Sequence, residues 1–169
     1  MIKYGILEYT EMMSFSQMLM HFVTALVLGG IMGMERERVG KEAGIRTSMM
    51  VAGGAALFTI AGLSLPYFVA TSPENLPQVI AANSGFLIMI ANIVVGIGFL
   101  GAGIIIKTEE HVHGLTTAAV IWTTAAIGIL AGIGLTKFAL AVTIISAGSL
   151  YVLRRVGIYE KVRPRENNS

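Results

Sequence analysis

The chain has 169 residues, of which 54% are hydrophobic and only 13% charged, with a mean hydropathy of +0.74. Soluble domains carry roughly 25% charged residues, so this composition, with its charges confined between long apolar blocks, excludes an ordinary soluble domain and points to a protein embedded in the lipid bilayer. The absence of cysteine excludes disulfides, thiolate catalysis and cysteine metal sites, and the net charge of +2 is placed at the ends of apolar blocks, which argues against nucleic acid as a partner.

Residues 1–15 hold Lys3, Glu8 and Glu11 and are expected to form a short external segment. They lack the basic start and small-residue cleavage site of a signal peptide, so the first span is expected to be retained. That span covers 16–34, with Gln17 and His21 near its start and Gly29, Gly30 and Gly33 near its end. Glu35-Arg36-Glu37-Arg38 stops it, and 35–46 reads as a short charged connection. Thr47 and Ser48 are N-cap residue types and open the second span, 47–70. A loop with Pro73, Glu74, Asn75 and Pro77 leads to the third span, 81–106, which carries no charge.

Gly96, Gly98 and Gly101 within that third span have the spacing of a dinucleotide-binding fingerprint, and Gly103 follows. The fingerprint needs a preceding soluble strand and a phosphate-facing helix start, neither of which fits an apolar run. The better reading is helix packing, because small residues let helix backbones approach closely within lipid. A loop from Lys107 to Gly114 follows, with Glu109, Glu110, His111 and His113. Thr116 and Thr117 cap a fourth span, 116–134, and Lys137 marks a tight turn. The fifth span, 138–153, is short enough that Lys137 and Arg154 must snorkel to the interfaces. Residues 154–169 form a basic tail.

Five spans put the termini on opposite sides. With the amino terminus outside, ten basic residues lie inside and only Lys3 and Lys137 outside, so the positive-inside rule gives a cytoplasmic carboxyl terminus. An offset of 70 places Gly33 on Gly103, Gly44 on Gly114 and Thr47 on Thr117. Both copies read as span, polar loop, span. The fold class expected is therefore all-α integral membrane with five transmembrane helices, compatible with a parallel repeat of a two-helix unit plus a fifth helix. Small-residue faces at Gly29/Gly33 and Gly128/Gly132 exceed what one short bundle need bury, which predicts a homodimer packed through such a face.

Four segments together resemble the MgtC/SapB family of bacterial inner-membrane proteins: Gly33-Met34-Glu35-Arg36-Glu37, Ala43-Gly44-Ile45-Arg46-Thr47, the stretch Gly96 to Gly103, and Gly114 to Trp122. The likeness covers roughly 16–153, without the soluble carboxyl-terminal domain of longer members. It implies a small multi-pass protein of the bacterial inner membrane linked to acclimation to low magnesium. It further implies a regulator of membrane energetics, with another membrane complex such as the ATP synthase as partner, or alternatively a Mg²⁺ transporter. The chain departs from the family pattern at Gln17, His21 and Ile88, where an acid and two arginines are favoured.

The candidate site residues carry two readings each. Glu35, Arg36 and Glu37 make either a stop signal with weak charge pairing or, with Glu109 and Glu110, a weak site for hydrated Mg²⁺, which binds through one or two carboxylates. Mg²⁺ is the only cofactor the sequence suggests. Arg46 is expected over the inner ends of the spans, paired with Glu35 or Glu37. Asn92, about three turns inside the third span, must find a partner rather than face lipid. His111 and His113 lack a third ligand, Trp122 suits an interfacial anchor, and His21 reads as structural or interfacial. No nucleophile, base and orienting group occur together, so an enzyme is not expected.

Overall fold

The computed structural model describes residues 12–72, 74–82, 85–109 and 111–156. The first eleven residues of the expected external segment, Pro73, Glu110, and the tail from 157 with Lys161, Arg163 and Arg165 lie outside the described residues. The elements run α1 (Phe15–Arg38), α2 (Ile45–Val69), α3 (Leu76–Ala82), α4 (Gly85–Ile104), β1 (Ile106–Lys107), β2 (Val112–His113), α5 (Leu115–Ile133) and α6 (Thr136–Arg155). The protein is an all-α membrane protein. Helices α1, α2, α5 and α6 are each long and apolar enough to cross a membrane. Helix α4 adds a fifth apolar helix of 20 residues, about 30 Å long and so matched to the hydrocarbon core.

Several boundaries move from their expected places, each for a local reason. Helix α1 does not stop at the charged run but continues through it to Arg38, since Glu and Arg are good helix formers. The turn comes only at Gly40, whose φ of +64° suits glycine, so the connection shrinks to 39–44. Helix α2 then starts at Ile45 with Gly44 as N-cap, and α5 starts at Leu115 with Gly114 as N-cap. Thr47 and Thr116 to Thr117 are therefore inside the first turns and are not the caps. The expected loop before the third span contains most of α3, which takes residues 81–82 of that span, and α4 carries 85–104 of it. The fifth reaches 20 residues, which brings both ends closer to the interfaces than expected.

The expected loop from Lys107 is instead a small antiparallel hairpin, pairing Ile106 with His113 and Lys107 with Val112. It folds back over the end of α4, and a Cβ at Gly114 would collide with the carbonyl of Ile104. Gly44 and Gly114 thus play the same N-cap part 70 residues apart, and α2 and α5 start at that same offset, but the helices before them differ. A Cβ at Gly33 would lie 2.6 Å from Ile45 Cα, whereas its counterpart Gly103 meets nothing within 4 Å.

Helices α1, α2 and α5 pack mutually as the centre; α4 leans on α5 and α2, and α6 on α1 and α5. The centre is built on α2, whose Ser48, Ala52, Ala56 and Thr59 form one buried stripe at helical spacing. Gly29 of α1 sits over Ser48 and Ala52, while Gly128 and Gly132 of α5 sit over Ala52, Ala56 and Thr59. At each crossing an added Cβ would come within 3 Å of the facing helix. These glycines allow the backbone contact that drives association in lipid. The pairs Gly29/Gly33 and Gly128/Gly132 are therefore spent inside the single chain, and the expectation that they hold a dimer is corrected.

Three threonines in this core are satisfied locally, whereas the Ser48 and Ser64 hydroxyls are buried with no partner among the described residues. Thr59, Thr124 and Thr143 each donate their hydroxyl at 2.8 Å to the carbonyl four residues earlier, of Ala55, Val120 and Ala139. This is how a threonine tolerates a membrane interior. Replacing Thr124 by valine is accordingly expected to change thermal stability by less than about 1 kcal/mol, read by melting in detergent.

Candidate functional site

One end of the bundle gathers the last turn of α1, the 39–44 turn, the first turn of α5 and the last turn of α6. On α1 the buried residues Ala25, Leu28, Gly29, Met32, Gly33 and Arg36 fall on one helical stripe. Arg36 is the last member of that stripe, and the helical spacing turns it inward to only 5% exposure. Its Nη2 donates to Thr117 Oγ1 at 2.5 Å. The Thr117 hydroxyl in turn donates to Glu42 Oε2 at 3.3 Å. Arg36 Nη1 stands 3.9 Å from Glu35 Oε2, and Glu35 Oε1 stands 3.9 Å from Arg154 Nη1.

The two contacts of Glu35 are charge contacts, too long to be hydrogen bonds. Arg36 Nε and Glu35 Oε2 are buried without a hydrogen-bond partner among the described residues. A buried charge left partly unpaired is costly, which marks this end as the electrostatically tense part of the molecule. The Glu42 carboxyl is held below the usual carboxylate range. The main cause is its own backbone N–H, opposed by desolvation and helped by the Thr117 hydroxyl, then Lys41 and Arg36. A lowered carboxylate adds stability above its unfolded pKa and loses it as pH falls through the folded value, so this contact is in place at neutral pH.

Glu37 has a separate task. Its Oε2 accepts from the backbone N–H of Ile45 at 2.7 Å and so caps α2, whose N-cap residue, Gly44, has no side chain to do so. Gly44 is small for the same reason, because a Cβ there would lie 2.6 Å from that oxygen. Glu37→Ala is expected to lower stability by about 1 kcal/mol, with Glu37→Gln recovering much of it, in thermal unfolding of the purified protein.

The expected residues are thus only partly brought together. Glu35, Arg36 and Thr117 meet, and Glu42 and Arg154 join them. Arg46, expected to pair with Glu35 or Glu37, is exposed on the first turn of α2 and has no carboxylate partner among the described residues. The arginine that faces Glu35 on this side is Arg36. Glu35 and Glu37 are turned to different partners, Glu35 to Arg36 and Arg154 and Glu37 to the Ile45 N–H. Among the described residues no three His, Asp or Glu side chains gather where they could hold a metal. His111 and His113 have ring centroids 6.2 Å apart on the exposed hairpin. Thr47 and Thr116 are half-buried beside the network.

The glycine stretch also departs from expectation. Gly101 packs against Ala118 at 3.5 Å for an added Cβ, but Gly96, Gly98 and Gly103 face open space. Asn92 lies on the exposed side of α4 and makes no hydrogen bond among the described residues. Trp122 points outward, 51% exposed, as an aromatic bordering lipid does. At the far end of the bundle Gln17 completes a capping box with Ser14 (its Oε1 accepts from the Ser14 N–H at 2.8 Å). His21 packs against Gly134 at the end of α5, with a buried and unpartnered Nδ1. Ile88 is exposed on α4.

The signal for Arg36 was its place on the α1 stripe, seven residues after Gly29. Glu42 and Arg154 have no such signal, because their contacts depend on how the turn and α6 pack.

A bundle of this kind, with glycine-mediated crossings and a buried arginine closing one end, defines a small multi-pass helical membrane protein. The MgtC family model matches residues 22–158, and the chain belongs to the MgtC family. It is 41% identical over 136 residues to Protein MgtC of Salmonella typhimurium strain 14028s, covering 80% of this chain and 52% of that protein. It is 42% identical over 120 residues to Protein MgtC of Brucella abortus strain 2308, covering 71% and 44% respectively. The chain thus spans about half the length of the curated relatives it matches. No solved structure matches.

Proposed function

We propose that the chain is a regulator in the bacterial inner membrane, linked to magnesium acclimation, that acts through its Arg36 end on another membrane complex such as the ATP synthase. The observation that carries this reading is the placement of charge. The ionic network, with Arg36 and Thr117 buried and Glu42 and Arg154 exposed, sits at one end of the bundle, joining α1, the 39–44 turn, α5 and α6. A transporter needs a polar pathway at mid-membrane, usually with ionisable groups or broken helices. The central helices here meet through glycine, alanine, Ser48 and self-satisfied threonine, with no ionisable group at their crossings among the described residues.

The reading also places the amino terminus outside and the Arg36 end in the cytoplasm, where short basic segments are favoured. Purified protein in liposomes is expected to give no Mg²⁺ or proton flux above empty vesicles. Flux that Arg36→Gln abolishes would overturn the regulator and establish a transporter. Because the chain lacks cysteine, orientation has a clean test. An impermeant thiol reagent is expected to label Asn75→Cys in intact cells and to miss Glu109→Cys; the reverse pattern inverts the topology.

A further inference from the structure

On α4 the exposed residues Ile88, Asn92, Val95, Gly96, Phe99 and Gly103 fall within one helical face, the side turned away from α2 and α5. Ile93 and Gly101, on the other side, are buried. Asn92 lies seven residues into the helix, about 10 Å along its axis, well inside the hydrocarbon. Lipid offers its amide neither donor nor acceptor, and no neighbour in the chain supplies one among the described residues. A polar group at that depth demands a partner.

We propose that this face of α4 pairs with the same face of a second copy, Asn92 against Asn92 across a two-fold axis along the membrane normal. Three features commit the site to a second copy. An asparagine carries both donors and acceptors, so it satisfies another asparagine without any foreign chemistry. Copies inserted with the same topology run their α4 helices parallel, and a two-fold axis brings each residue near the axis to its own counterpart. Gly96 and Gly103, one and three turns beyond Asn92 on that face, add no side chain that would hold the helices apart; a Cβ at either meets nothing within 4 Å among the described residues. The pairing holds equally for a regulator and for a transporter.

Single cysteines in the otherwise cysteine-free chain test it in native membranes by copper-phenanthroline oxidation. Ile88→Cys and Phe99→Cys are expected to give a covalent species of twice the 18.0 kDa chain. Leu57→Cys on α2 and Ile145→Cys on α6, equally exposed in one chain, are expected to give little. Adding Asn92→Leu to Phe99→Cys is expected to weaken pairing roughly tenfold, while Asn92→Gln retains it. Leucine suits lipid, so the monomer's melting temperature should not fall with Asn92→Leu. Equal cross-linking at the control positions, none on α4, an adduct of another mass, or cross-linking indifferent to Asn92→Leu would each overturn the proposal.

Discussion

Arg36→Gln is expected to lower the stability of the purified protein by about 3 kcal/mol, the scale for removing one partner of a buried ionic contact. For a chain of this size that is a fall in melting temperature on the order of 10 °C. The loss has three sources: the bond to Thr117, the charge facing Glu35, and the anchoring of Glu42 through the Thr117 hydroxyl. Thr117→Val should cost less, about 1–2 kcal/mol, because it leaves the two charges in place. Arg46→Gln should stay within about 0.5 kcal/mol of the parent, as expected for an exposed group with no ionic partner. Differential scanning calorimetry of the three variants in one detergent separates these cases. Equal shifts for Arg36→Gln and Arg46→Gln would remove the network as the organising feature of that end.

Leucine at Gly128 is expected to leave little folded protein. The added atoms would meet the backbone of α2 at Ala52, which cannot step aside as a side chain can. Overpacking against compliant neighbours already costs about 1–3 kcal/mol, and here the upper end is the minimum. Gly33→Leu faces the same obstacle at Ile45. Gly98→Leu meets nothing and replaces a poor helix former, so it should be neutral or stabilising by up to about 1 kcal/mol. The yield of monodisperse protein on size exclusion, followed by melting, checks all three. A folded, stable Gly128→Leu protein would mean that α2 and α5 do not touch as described.

The contrast between those glycines explains what the sequence could and could not reveal. Long uncharged runs make the membrane helices legible, because length and apolarity alone decide whether a helix can span. The glycine spacing announces close packing but not which glycines pack. Gly29 and Gly128 have it, and Gly98 and Gly103 do not, since only the crossing geometry selects them. Helix starts differ from the expected ones for a related reason. Thr47 and Thr116 are good cap types, yet Gly44 takes the cap position because the carboxylate of Glu37, eight residues before Ile45, supplies the acceptor from another helix. Arg36 was visible as a charged residue, and its inward turn follows from the α1 stripe. Arg46 attracted the pairing because it lies close in sequence to the acids, while Arg36 reaches Thr117, 81 positions away.

The stripe on α2 has a mechanical consequence. Ala52 is met by Gly29 on one side and by Gly128 on the other, so α1 and α5 rest on one short segment almost without intervening side chains. Contacts of this kind have little compliance: no rotamer can give way, and displacement of one helix is passed to the next. Helices α1, α2 and α5 therefore behave as a stiff block. A change in the shape of the bundle is thus expected to come from α4 or α6 shifting against that block. Helix α6 bears Arg154, which reaches Glu35 at the ionic end, and α4 bears the uncovered amide of Asn92. Distances between spin labels within the block should stay fixed across conditions, while distances from the block to α4 and α6 report the change.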